Sequence, residues 1–271
     1  GHGRMLHSTS AILVALGVTL AAGLTTVLGA LFVARADRAD PRLLPLALAF
    51  AGGAMVYVSL VEILPKGLAG LEEAYGPRGG YALATLGFFV GVGLLILLDR
   101  LVPNPHGDTG GHGHAHDDAE RARLTRLSLL TAAAITAHNL PEGLATFFAT
   151  LESPGVGAPL AVAIALHNIP EGISIAVPVF YATGSRSKAA VAALLSGLAE
   201  PVGALIGWVV LGAVLPASLI GLVFAVIAGA MVFLALDELL PSAQRHAQGH
   251  DTAYAMVGGM AILALSLVLF R

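Results

Sequence analysis

The sequence has no cysteine, a single tryptophan and few charged residues, which make up 11% of its 271 positions. A chain without thiols forms no disulfide and offers no thiolate to a metal. Any metal would be held by His nitrogen, carboxylate or amide oxygen, or Met sulfur, which argues against copper(I) handling. Soluble domains carry roughly 25% charged residues, so the shortage of charge argues against an ordinary soluble enzyme. The 14 Lys and Arg are scattered and the formal net charge is −3, which leaves no basic face for nucleic acid.

What the chain has in abundance is apolar sequence, 56% of it hydrophobic. Runs long enough to cross about 30 Å of hydrocarbon as helix fall at 8–34, 43–64, 80–101, 124–150, 158–182, 187–212, 218–240 and 252–270. The first run has no charge between Ala11 and Ala34 and reads as a membrane span, not a removable signal. Proline, glycine or charge breaks separate the runs, the shortest of them at Pro216. The expected fold is an all-α integral membrane protein of eight transmembrane helices, one domain over 1–271, facing the lipid bilayer. The loop at 102–123, rich in Gly and His, is expected to be disordered and on the cytoplasmic side.

Ten of the Lys and Arg (Arg35, Arg38, Arg42, Arg100, Arg121, Arg123, Arg126, Arg186, Lys188 and Arg245) fall after spans 1, 3, 5 and 7. Only Arg4, Lys66, Arg78 and Arg271 lie on the other side. The positive-inside rule therefore puts both termini on the non-cytoplasmic side. Residues 51–65, AGGAMVYVSLVEILP, align without gaps on 227–241, IAGAMVFLALDELLP, with eight of fifteen positions identical. In an eight-span topology these stretches run in opposite directions, the mark of an inverted repeat.

Span 4 contains His138-Asn139-Leu140-Pro141-Glu142-Gly143 and span 5 contains His167-Asn168-Ile169-Pro170-Glu171-Gly172. His and Glu four positions apart share a helix face, which suits two ligands on one ion. Each proline removes an N–H from the helix and is expected to kink it, freeing a carbonyl. The Asn beside each His points toward a neighbouring position, so a second, adjacent site sharing Glu142 and Glu171 is open. A buried His–Glu pair with a structural kink would explain one such motif; two copies on adjacent spans weigh against it. Glu200 on span 6 is a third carboxylate at membrane depth, where ionisable residues normally serve function.

The paired motifs, residues 51–65, SGLAEP at 196–201, ALDELLP at 235–241 and the His-rich loop together resemble the ZIP family of metal transporters, and within it the bacterial ZupT branch. The resemblance covers nearly the whole chain. It implies a bundle of three, two and three helices, with spans 1–3 and 6–8 related by pseudo-twofold symmetry around spans 4 and 5. It implies a two-metal centre, one site formed by His138, Glu142, His167 and Glu171 with Met55 nearby, the other by Asn139, Asn168 and Glu200 with the shared glutamates. Some relatives have Gln or Asp in place of the second His or Asn; here the positions are His167 and Asn168, so ligand preference and occupancy are not carried over. The implied cargo is a divalent ion, zinc first, with iron, manganese, cobalt and cadmium also admitted, moving into the cytoplasm across a bacterial inner membrane. An elevator-like shift of the metal-bearing helices is the implied mechanism, and no cofactor is expected.

Glu62, Asp237 and Glu238 read either as pathway residues at the two mouths or as solvated helix ends, and His106, His112, His114 and His116 as weak loop ligands. The small-residue pairs Gly87 with Gly91 and Gly203 with Gly207 read as packing seams within one subunit, leaving a homodimer open. Two alternatives stand beside a transporter: a passive metal-selective channel and an intramembrane zinc hydrolase. The hydrolase fits poorly, because its usual His-Glu-x-x-His order supplies a free base that this motif lacks.

Overall fold

The computed structural model describes residues 8–34, 42–101, 114–152, 154–210 and 217–269; at some helical positions, His114, His116, His138, His167 and His246 among them, it describes the backbone alone. The described residues are almost entirely helical and contain no strand. Span 1 is α1 (Thr9–Leu24) and α2 (Thr26–Ala34), broken at Thr25. Span 2 is α3 (Leu43–Val58), a π turn (Ser59–Ile63) and the first part of α4 (Leu64–Leu101), whose second part is span 3. Spans 4 and 5 are α5 (His114–Glu152) and α6 (Pro154–Thr183). Span 6 is α7 (Arg186–Gly197) and α8 (Ala199–Val210), broken at Leu198. Span 7 is α9 (Ala217–Leu234), a second π turn (Ala235–Leu239) and α10 (Leu240–His246), and span 8 is α11 (Asp251–Leu269).

Five of these stretches are long and apolar enough to cross a membrane: Thr9–Ala34, Pro45–Leu101, Arg186–Val209, Gly221–Arg245 and Asp251–Leu269. The second, 57 residues long, holds spans 2 and 3 together. It folds back at Gly76, whose φ of 76° lies in the left-handed region open to glycine. Pro77 then restarts the helix where its missing N–H leaves no intrahelical bond unmade. Exposed Leu13, Phe89, Leu94, Val209, Ile262 and Val268 give the bundle an apolar outer surface suited to lipid. This is a multi-pass, all-α membrane protein.

Several helix boundaries differ from the sequence expectation. Span 2 does not end at Leu64 but runs on to the turn at Gly76, and span 7 runs past Leu240 to His246. In both, a proline taken as a terminator is absorbed by the π turn before it. Pro65 and Pro241 have no N–H to offer the carbonyl four residues earlier, and the preceding N–H groups of Leu64 and Leu240 reach back five residues, to the carbonyls of Ser59 and Ala235. The expected loop at 102–123 is shorter too, since His114 to Arg123 are the opening turns of α5. Residues 102–113, with His106 and His112, and the break at Pro216 lie outside the described residues. The helices continue through Pro141 and Pro170.

Packing follows a pseudo-twofold pattern in which the first three spans exchange with the last three, and span 4 with span 5. Span 3 lies against span 7, where Gly91 faces the Val226 carbonyl and Gly229 the Phe88 carbonyl. Span 8 lies against span 2 in the same manner, with Gly53 on the Met256 carbonyl and Gly259 on the Phe50 carbonyl. A β-carbon at Gly91 would sit 1.7 Å from the Val226 oxygen, so this pair of helices packs backbone to backbone. The Gly87 and Gly91 seam is thus used inside the subunit, and so is the second one: Gly203 meets Leu140 and Gly207 meets Leu144.

Candidate metal centre

The centre of the bundle is where spans 1, 4, 5 and 6 cross. Gly143 and Gly172, the last residues of the two motifs, set the spacing. A β-carbon on Gly143 would stand 1.9 Å from the Glu200 carbonyl of span 6, and one on Gly172 would stand 1.9 Å from the Thr26 carbonyl of span 1. Glu142 and Glu171, one residue earlier, are thereby held against the neighbouring helix, and both are buried.

The two asparagines are oriented by the same broken helices. Asn139 donates through Nδ2 to the Ser196 carbonyl at 3.0 Å, and Asn168 donates through Nδ2 to the Ala22 carbonyl at 3.0 Å. A carbonyl only accepts, so each amide nitrogen is fixed toward span 6 or span 1 and each amide oxygen is turned away from it. Asn168 uses its other N–H on Oε1 of Glu200. Pro201 contributes to the break in span 6, because it has no N–H for the Gly197 carbonyl. In span 1 no proline is present; the Thr25 hydroxyl donates to the Ala22 carbonyl at 2.6 Å and to Ala165 of span 5 at 2.9 Å.

These contacts leave Oδ1 of Asn139, Oδ1 of Asn168 and Oε2 of Glu200 buried without a hydrogen-bond partner among the described residues. Orphaned buried oxygens are rare and costly in native proteins. Here they are two neutral amide oxygens and one carboxylate oxygen beside two further buried carboxylates, the donor set of a site for a divalent cation. Glu200 is fully buried and lies within electrostatic reach of both Glu142 and Glu171. The side chains of His138 and His167 lie outside those described; the backbone places each one residue before its asparagine. Met55 is fully buried in the apolar cluster that also contains Ile173 and Ile175 of span 5.

Of the outlying acids, Glu62 and Glu238 are paired, whereas Asp237 is exposed. Glu62, on the first π turn, lies 2.6 Å from Lys66 one turn on. Glu238, on the second, receives Arg126 of span 4 at 3.0 Å, and Arg126 also binds the carboxylate and, at 3.1 Å, the main-chain oxygen of Asp99 on span 3. Carboxylate oxygens of Asp99, Asp237 and Glu238 fall within 4.8 Å of one another. A cavity of about 150 Å³ adjoins them, lined by Arg123, Arg126, Asp237, Glu238, Ser242 and Arg245. Sequence reasoning missed Asp99 and the role of Arg126: an Asp-Arg pair closing an apolar run looks like a span end, and Arg126 looks like one more cytoplasmic positive charge.

The model of the family described as ZIP Zinc transporter matches residues 9–122 and 102–267, nearly the entire chain. The protein belongs to the ZIP family. A ZIP relative from Stenotrophomonas maltophilia (strain R551-3), named zinc transporter ZupT, is 58% identical over 268 residues, 98% of this chain and 100% of the relative. The zinc transporter ZupT of Neisseria meningitidis serogroup B is 56% identical over 264 residues, covering 97% of this chain and 98% of its own length. That of Corynebacterium efficiens is 48% identical over 264 residues, with 96% and 98% covered.

Proposed function

We propose that this ZIP protein carries divalent transition-metal ions, zinc foremost, into the cytoplasm through the crossing of spans 1, 4, 5 and 6. It acts as a transporter and not as an enzyme, in keeping with the names of its relatives. The observation that carries the assignment to this site is the matched docking of Asn139 and Asn168, which leaves their oxygens and one of Glu200 buried and unsatisfied beside Glu142 and Glu171. His138 and His167 supply nitrogen ligands, which zinc accepts readily. Met55 serves as a nearby soft donor. Two ions share Glu142 and Glu171, one toward the imidazoles and one toward Asn139, Asn168 and Glu200.

The chain sits in the bacterial inner membrane with both termini on the non-cytoplasmic side, as the distribution of Lys and Arg supports. Glu62 stands at the outer mouth and Asp237 and Glu238 at the inner one. His106, His112, His114 and His116 bind metal weakly on the cytoplasmic side. The deciding experiment is uptake of zinc, iron, manganese, cobalt and cadmium into proteoliposomes. Saturable uptake accelerated by metal preloaded on the opposite side identifies a carrier. Non-saturating uptake without counterflow would turn the assignment to a channel.

A further inference from the structure

Span 1 holds a side chain that the paired motifs do not account for. Gly23, Thr26 and Gly29 of span 1 correspond in spacing and packing to Gly197, Glu200 and Gly203 of span 6. Gly23 and Gly197 face each other's carbonyls, Gly29 meets Gly172 of span 5, and Gly203 meets Leu140 of span 4. Thr26 therefore stands where the pseudo-twofold would put a second Glu200. It is fully buried, and its Oγ1 has no hydrogen-bond partner among the described residues.

Thr131 and Thr252 also have buried hydroxyls without a partner among the described residues, but neither lies at the crossing of spans 1, 5 and 6. Thr19, Thr146 and Thr183 donate to the carbonyl four residues earlier, at 2.8, 3.1 and 2.7 Å. The matching acceptor for Thr26 is the Ala22 carbonyl, which already receives the Thr25 hydroxyl and Asn168 Nδ2. The contact that orients the Asn168 amide thus occupies the acceptor that Thr26 would otherwise use. Three buried oxygens without a partner among the described residues thus belong to the three helices that meet here: Thr26 Oγ1 on span 1, Asn168 Oδ1 on span 5 and Glu200 Oε2 on span 6. The Thr26 β-carbon lies 3.1 Å from where one on Gly197 would be, and the Glu200 β-carbon 3.3 Å from where one on Gly23 would be.

From this juxtaposition we infer that Thr26 supplies a neutral oxygen ligand to the transported ion from span 1, opposite Glu200, and biases the site toward oxygen-preferring metals. The inference rests on the central site of the proposed function. Hydroxyl oxygen suits a hard ion such as manganese better than zinc, which the imidazoles serve.

The test is calorimetric titration of the full-length protein in detergent with manganese and with zinc, comparing wild type, Thr26→Val, Thr26→Ser and Glu200→Gln. The loop histidines contribute equally to all four. Thr26→Val is expected to weaken manganese binding about tenfold and zinc binding less, while Thr26→Ser keeps both. The metal-free thermal midpoint of Thr26→Val should stay level or rise, because an unsatisfied buried hydroxyl has been removed. A loss of affinity matched by a fall in that midpoint, and not rescued by Ser, would overturn the assignment. If Glu200→Gln weakens both metals and Thr26→Val weakens neither, the Thr26 ligand alone is overturned. Unchanged binding in both variants overturns the central site as well.

Discussion

The two halves of the bundle are alike in their packing and different in their chemistry. Each central helix lays a glycine on a carbonyl of a broken helix and ties an asparagine amide to a second carbonyl one turn earlier, Gly143 and Asn139 on span 6, Gly172 and Asn168 on span 1. Yet at the matched position one half carries Glu200 and the other Thr26. At the matched π turns, Glu62 pairs with Lys66 of its own helix, whereas Glu238 pairs with Arg126 of span 4. The difference teaches that the repeat specifies the scaffold, while at the position of Thr26 and Glu200 charge is placed on one side only. A symmetric pair of carboxylates would bury a further unmatched charge, which is costly at membrane depth.

The largest effect should come from the part both halves share. Glu142→Ala and Glu171→Ala are each expected to lower zinc uptake more than about 100-fold with normal membrane insertion, since each removes a charged ligand shared by two ions. Wild-type uptake in either inserted variant would sink the two-metal assignment. The imidazoles are also shared, one per half. Protons compete with metal for a His of reference pKa about 6.5, so zinc affinity should fall roughly tenfold or more from pH 7 to pH 5. A flat profile would remove His138 and His167 from the site.

Next comes the part that differs. Glu200→Thr copies the first half onto the second and is expected to weaken metal binding by about tenfold, read by equilibrium titration, since a carboxylate ligand is replaced by a neutral one. No change would mean that the asymmetry at this position is not chemical. Smaller effects should appear in stability. Gly143→Ala and Gly172→Ala put a β-carbon against a carbonyl in equivalent places and should each lower stability by about 1–3 kcal/mol, read as similar falls in the detergent thermal midpoint. Unequal falls would break the packing equivalence.

Last, Lys66→Gln removes a pair whose lysine is 40% exposed and should change stability by less than about 1 kcal/mol. Arg126→Gln unpairs two partly buried acids at once and should lower the midpoint more. Equal effects would remove the contrast between the two π turns.

Much of this was legible in the sequence. Eight apolar runs, the repeat at 51–65 and 227–241, and the double His-Asn-x-Pro-Glu-Gly motif are patterns of composition and spacing, which a chain displays before it folds. The continuation of spans 2 and 7 beyond Pro65 and Pro241 was not, because a proline signals a terminator unless the preceding turn is known to widen. Thr26 was hidden because threonine is unremarkable in an apolar helix; the signal lay in laying GLTTVLG at 23–29 beside GLAEPVG at 197–203. Asp99 needed the third dimension, since nothing in its neighbourhood along the chain points to Glu238 or Arg126.

The π turns bear on the symmetry of the bundle. A π turn is a helix with one residue too many, and it interrupts an otherwise regular ladder. Ser59–Ile63 and Ala235–Leu239 carry that irregularity at corresponding positions, each followed by one leucine and then proline. Losing the extra residue from either triplet would turn everything beyond it by about 100° relative to the other, so the symmetry of the scaffold depends on both turns being wide.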